Sequence, residues 1–289
     1  GGAFSAAKAA VMDALGCAFA GHAMPGVPEV MGLTKEWGGR GEATLWLDGT
    51  RVPAPAAAFA NSALAHAMDL DDYHPPSDAH VGVVIVPVAL AMGELTGATG
   101  GETLAAAILG VEVAGRLGRI FKARRTHEGF LPSSVVGGFG ATAAACRLKR
   151  LSVEQTASAL GIFYAHASGN RQALFDRTLT KRVQPAIAAR AAVIAACLAG
   201  RGITGPERVV EGEAGLLKLY GSAKGDPPDA SAVSKSPGQF EVELIRFKKF
   251  ACCGRSHGAI GAAIALATEH DLGPDAIATV AGRGYRFVL

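Results

Sequence analysis

Aromatic residues are scarce, at 6% of a 289-residue chain. A core of that composition packs small side chains at close range, and 38 glycines point the same way. Charge is also sparse, at 18%, with a net value of only +3. That balance leaves no electrostatic footprint for a nucleic acid. The five cysteines (Cys17, Cys146, Cys197, Cys252, Cys253) form no CxxC pair, and no HExxH occurs. A structural zinc site and a secreted disulfide framework are therefore not expected. The odd cysteine count fits a reducing compartment, so the expected location is the cytoplasm. Long unbroken apolar runs are missing as well. The stretch 186–200 contains Arg190, and the N-terminal run contains Lys8 and Asp13. No membrane span is expected, and the N-terminal run reads as a helix of the fold rather than a leader. The glycine groups GVEVAGRLG and GGFG follow no strand and lack a placed acidic residue, so they are not a dinucleotide fingerprint.

What is present is helical periodicity. Apolar residues near a helical period fill 3–22, and helices are expected over 28–37, from Pro53 to Met68, over 83–96, 103–121, 135–148, 152–168, 181–199 and 258–269. Short helices are expected over 206–210 and 214–220. Asp48-Gly49 between short β-prone runs predicts a small hairpin over 43–52. Ser152 with Gln155 three residues on has the capping-box pattern. The stretch 222–238 is rich in Pro, Gly and Ser and reads as a surface loop. Residues 240–247 alternate apolar and charged side chains, as a strand or a linking segment would. Residues 277–289 look β-prone. The class is mainly α with small β additions.

One stretch organises the rest: NSALAHAMDLDDYHPPSDAH, Asn61 to His80. An Ala-rich helix ends in Asp69, Asp71 and Asp72. Tyr73, His74 and two prolines follow, and His80 closes the loop before a second apolar run. A loop held between rigid helices is where chemistry is usually placed. An Asp-Asp pair alone marks a turn more often than a site. Here it comes with His66 one helical turn before Asp69, and with His80. Three further polar islands interrupt the apolar helices: 125–134 with His127, 178–184 with Lys181 and Arg182, and 247–257 with Lys248, Cys252, Cys253 and His257. Cations at a helix N-terminus oppose the helix dipole, so Lys181 and Arg182 need an anion nearby. That anion is either a substrate carboxylate or a carboxylate of the chain. Adjacent cysteines are more often packing groups than nucleophiles. Such a set, if it converges, suits proton transfer beside the carboxylates of a small acid.

The motifs NSALAHAMDLDDYH, HVGVVIVPVALAMGE, GFLPSSVVGGFGATAAACRL, LTKRVQPAIAARAAVIAACLAGRGITGP and FKKFACCGRSH resemble those of the MmgE/PrpD family, in order and over essentially the whole chain. That family includes 2-methylcitrate dehydratase, cis-aconitate decarboxylase and iminodisuccinate epimerase. The resemblance implies a large helical domain, here 1–271, and a smaller α+β lid domain, of which 272–289 would be the first strand. It also implies a homodimer, a small carboxylic acid as substrate, and neither metal nor organic cofactor. By motif, Asp69 and His80 match the loop acid and histidine of the family site, and Lys181 the lysine that meets substrate carboxylate. With Tyr73, which stands where many members have Thr, they form the expected catalytic set. Lys248, Arg182, His257 and Cys253 form the expected substrate-binding set. Leu131 stands where many members have histidine. The implied reaction is dehydration of a 2-methylcitrate-like acid, with His80 oriented by Asp69. The alternatives are epimerisation of an imino- or amino-dicarboxylate, or a binding protein without chemistry.

Overall fold

A computed structural model describes residues 1–123, 129–220 and 238–281. Two helices, α1 (Gly2–Gly21) and α2 (Val27–Glu36), precede a minimal hairpin. Its strands β1 (Ala43–Thr44) and β2 (Arg51–Val52) are antiparallel, with Ala43 opposite Val52. Gly49 takes a positive φ of 73° at the turn, as the Asp-Gly signal requires. Then come α3 (Ala54–His66), α4 (Gly82–Thr96), α5 (Gly100–Ala123), α6 (Pro132–Leu148), α7 (Val153–Tyr164), the single turn α8 (Gln172–Phe175) and α9 (Thr180–Ala199). The single turn α10 (Leu216–Leu219) and α11 (His257–Glu269) complete the helices among the described residues.

The centre of the molecule is α6, buried at every residue from Pro132 to Cys146. It packs against α4, α5, α7 and α9, and α3 packs against α9 and α4. Glycine makes this possible. A Cβ on Gly140 would lie 2.3 Å from the Gly110 carbonyl oxygen, so α5 and α6 cross backbone to backbone. Two helices, Gly2–Gly21 and Thr180–Ala199, are long and apolar enough to span a bilayer by length and composition. The second is largely buried inside the fold. Arg190, which breaks its apolar sequence, reaches out to lie 4.5 Å over the Trp37 ring.

Pro87 sits inside α4 and leaves the Val83 carbonyl without its helical donor. The Ser62 hydroxyl donates to that carbonyl instead, at 2.5 Å. The Ser152 capping box forms as expected. The expectation for 206–210 differs: these residues form turns rather than a helix. Of the two readings of 240–247, the linking segment forms and the strand does not: Glu241–Leu244 is a 3₁₀ turn, and Arg246 makes an isolated bridge to Tyr73. After Ile245 no described residue is buried, and α11 buries none of its length. His127, residues 222–237 of the expected loop 222–238 and residues 282–289 of the β-prone stretch 277–289 lie outside the described residues; residues 277–281 form no strand.

Candidate active site

The loop between α3 and α4 is fixed first by its backbone. Asp69 and Asp78 adopt φ of 56° and 53°, the left-handed region that short polar side chains tolerate. Tyr73 exchanges both backbone hydrogen bonds with Arg246, at 2.9 and 2.8 Å. The His74 amide donates to the Ala79 carbonyl at 2.8 Å, closing the double-proline turn. Asp72 Oδ1 accepts from the Gly82 amide at 3.0 Å and so caps α4. Gly82 must be glycine there, because a Cβ would sit 2.3 Å from Asp72 Oδ2. The His80 amide donates to Ser133 Oγ at 2.9 Å, which ties the loop to the first turn of α6.

On this frame two lysines from distant parts of the chain meet one carboxylate. Lys181 Nζ and Lys248 Nζ each lie 3.0 Å from Asp69 Oδ1. Lys248 also donates to the Asp69 carbonyl at 2.6 Å, and its side chain is only 3% exposed. Burial opposes the charge on Asp69, but the two ammonium groups outweigh it and hold its pKa below the usual carboxylate value. Two cations on one anion leave a net positive charge at this point. The anion that Lys181 needs at its helix end is thus a carboxylate of the chain.

Beside this cluster lies a row of two imidazoles around Asp71. Asp71 Oδ2 is 2.8 Å from His80 Nδ1 and 3.0 Å from His66 Nδ1. Asp71 and His66 are buried, while the His80 side chain is 22% exposed. Burial holds His66 down to about 4, so it is neutral near pH 7. Burial also opposes the charge on His80, but Asp71 overcomes it and raises the pKa, against the pull of Lys248 and Lys181. Asp71 itself is held well below its ordinary value: burial works against ionisation, and the two rings win. Behind them Asp72 is pushed up to about 7, by burial first and then by Asp71 and Asp13.

The expected residues are thus partly brought together. Asp69, His80, Lys181 and Lys248 share one locality, since the charges of both lysines and of His80 act on Asp69. Asp69 does not hold the His80 ring; Asp71 does, because its carboxylate is the one that reaches Nδ1. Tyr73 packs edge-on to His80, with ring centroids 5.9 Å apart, and its hydroxyl donates to Asp78 at 2.5 Å. Burial and that carboxylate raise its pKa, so it stays a phenol. Arg255 meets the same Asp78 at 2.9 Å. Cys253 is exposed, on the same side as Tyr73 and Arg255. His257 is held by its own segment, with Nε2 3.0 Å from the Phe250 carbonyl. Arg182 points away: it donates to the Pro25 carbonyl and ties α9 to the turn before α2. Asp71 and His66 carry no assigned role in the sequence reading. Their five-residue spacing across a helix end was the available signal.

Sequence comparison adds the family. The pattern of the MmgE/PrpD N-terminal domain matches residues 2–228. The chain belongs to the MmgE/PrpD family. It is 29% identical over 266 residues to a cis-aconitate decarboxylase of Aspergillus terreus, covering 89% of this chain and 54% of the relative. It is 29% identical over 289 residues to the Mus musculus cis-aconitate decarboxylase, covering 98% and 58%. For the Homo sapiens protein of that name the figures are 30% over 266 residues, 90% and 54%. The chain spans about half the length of the curated relatives it matches.

Within this MmgE/PrpD domain, Leu131 occupies the N-cap of α6, its amide bonded to the Gly169 carbonyl at 3.0 Å. It stands two residues before Ser133, the partner of His80. Donor atoms of His66, Asp71 and His80 lie within 4.8 Å of one another, close enough to share a metal ion. The nitrogen–oxygen distances of 3.0 and 2.8 Å are those of direct hydrogen bonds.

Proposed function

We propose that this protein is a lyase acting on a small di- or tricarboxylate, and that the reaction is decarboxylation of a cis-aconitate-like acid. The relatives' names favour decarboxylation over the dehydration implied by resemblance alone. The observation that carries the reading is the pair of lysines converging on Asp69 beside His80. A substrate carboxylate bound beside His80 meets the surplus positive charge of Lys181 and Lys248. When carbon dioxide leaves the saturated carbon of such an acid, the electron pair of the broken C–C bond forms a new C=C bond, and the original alkene pair moves to the far alkene carbon and spreads into the carboxylate that this carbon bears. Fixed ammonium groups stabilise that developing charge. The imidazolium of His80 then delivers a proton to the carbon. The raised pKa of His80 favours the protonated ring that this step uses.

The test is carbon dioxide release from a panel of tricarboxylates by the intact protein and by His80→Ala. The variant is expected to keep its fold and lose turnover by roughly 10²–10⁴. Undiminished turnover in His80→Ala removes His80 from the role. Leu131 favours a second reading, epimerisation of a related dicarboxylate, because proton exchange at one carbon needs no leaving group. Solvent deuterium entering recovered substrate without carbon dioxide release identifies that reaction.

A further inference from the structure

We propose that Asp71 and His66 are positioning residues for His80: both imidazoles turn Nδ1–H toward one buried carboxylate oxygen, His80 sharing its proton with the Asp72 carbonyl, and this leaves Nε2 of His80 as the nitrogen that exchanges a proton with substrate. The functional half of this inference rests on the lyase reading above; the tautomer itself does not.

The geometry requires it. Asp71 Oδ2 lies 2.8 Å from His80 Nδ1, and the Asp72 carbonyl oxygen lies 2.8 Å from the same nitrogen. Both are acceptors only, since Asp71 is ionised, so a bare Nδ1 lone pair would face two oxygen lone pairs. In a dry site that repulsion is costly, and the proton must be on Nδ1. The same holds for His66 Nδ1 at 3.0 Å from Oδ2. Two N–H groups then face Oδ2, that of His80 shared with the Asp72 carbonyl. The carboxylate cannot turn away without stranding a buried imidazole, because Asp71 is 0% and His66 1% exposed. The two rings meet edge to face, centroids 5.4 Å apart, which blocks rotation of His80 toward α3. The other ionisable groups acting on His80 are Lys181 and Lys248, and its own charge acts on Asp69 and Asp72. Only Asp71 places an ionised oxygen on its Nδ1. Its role is therefore separable from theirs.

The test uses the intact protein labelled with ¹⁵N-histidine, with His80 and His66 assigned by loss of signal in His80→Ala and His66→Ala. At a pH above the titration of His80, both rings are expected as Nδ1–H tautomers. An Nε2–H tautomer at His80 overturns the proposal whether or not any carboxylate is turned over. Asp71→Asn is expected to lower the titration midpoint of His80 and to reduce kcat by roughly 10²–10⁴, the scale on which orienting carboxylates act on catalytic histidines. An unchanged midpoint and kcat overturn the positioning role. Should Asp71→Asn not fold, His66 supplies the second arm. His66→Asn, which keeps a donor near Nδ1, is expected to retain several-fold more activity than His66→Ala. Equal activity in the two variants overturns the part assigned to His66.

Discussion

At the scale of single residues, Asp72 is the group whose ionisation the fold resists most visibly. Its Oδ1 caps α4, and its Oδ2 is buried with no hydrogen-bond partner among the described residues. Burial and the neighbouring carboxylates raise its pKa from 3.8 to about 7. Between those values the folded protein holds a proton that the unfolded chain releases. The stabilisation linked to that proton is complete below about pH 4 and is lost as pH rises through about 7. Asp13, pushed up to about 6 mainly by burial, acts in the same direction over a narrower window. Asp69 and Asp71, with lowered pKa values, act oppositely and lose their contribution as pH falls below the ordinary carboxylate value. Asp72→Asn keeps the capping oxygen and removes the charge. Its melting temperature is expected to match the parent's near pH 4 and exceed it at pH 8, read from thermal scans across that range. A variant that melts below the parent at pH 8 would show that the ionised carboxylate is better accommodated than its burial implies. Lys181 and Lys248 separate in a related way. Lys181→Met is expected to raise KM with little loss of stability. Lys248→Met is expected to raise KM and also to lower stability, because the half-buried Asp69 carbonyl loses its donor, a cost of about 1 kcal/mol measurable by urea unfolding.

Among the elements, the segment at 240–248 has the largest consequence for its size, since it brings Lys248 to Asp69. Glu241 fixes it. Its carboxylate is fully buried, paired with Arg119 at 2.8 and 3.0 Å, and 3.1 Å from His74 Nε2. Its amide donates to Glu112. Gly115 clears the space, because a Cβ there would lie 2.9 Å from Glu241 Cγ. Truncating Glu241 leaves Arg119, 41% exposed, free to turn to water and strands only the buried His74 Nε2, so the expected cost is about 1–3 kcal/mol. Glu241→Ala should therefore lower the urea midpoint and, by releasing Lys248, weaken carboxylate binding. An unchanged midpoint would mean that the Tyr73–Arg246 bridge alone anchors the segment. This element also marks the limit of what the sequence discloses. The hairpin at Asp48-Gly49, the capping box at Ser152 and the long helix after Lys181 were legible because each rests on a local rule. The alternation at 240–247 fits a strand or a linking segment equally, and what decides between them is Glu241, whose charge meets Arg119, 122 residues away in sequence. Likewise Asp69, Asp71 and Asp72 are alike in sequence. Which one meets lysines, which holds imidazoles and which caps a helix depends on a left-handed φ at Asp69 and on where α4 begins.

For the whole molecule, the shortage of aromatic rings becomes a packing constraint. Helices α5 and α6 approach until Gly110 and Gly140 meet, and Gly138 faces Phe163, whose ring a Cβ would enter at 1.9 Å. Close packing of this kind is intolerant of added volume, because the obstructing atom at Gly140 is a backbone oxygen that cannot rotate aside. Gly140→Ala should therefore push α5 from α6 and destabilise the protein by about 1–3 kcal/mol. Since α6 also presents Ser133 to the His80 amide, the displacement should disturb the site as well as the core. Gly16, in the middle of α1, supplies the opposite case: it is exposed, and a Cβ there meets nothing within 4 Å. Gly16→Ala removes backbone entropy from the unfolded chain without a clash and should stabilise by about 0.5–1 kcal/mol. Chemical denaturation of the two variants side by side tests the idea. Opposite signs are required if glycine is present in α6 for contact and in α1 for no steric reason. The same sign in both would mean that the crossing of α5 and α6 is loose enough to absorb a methyl group.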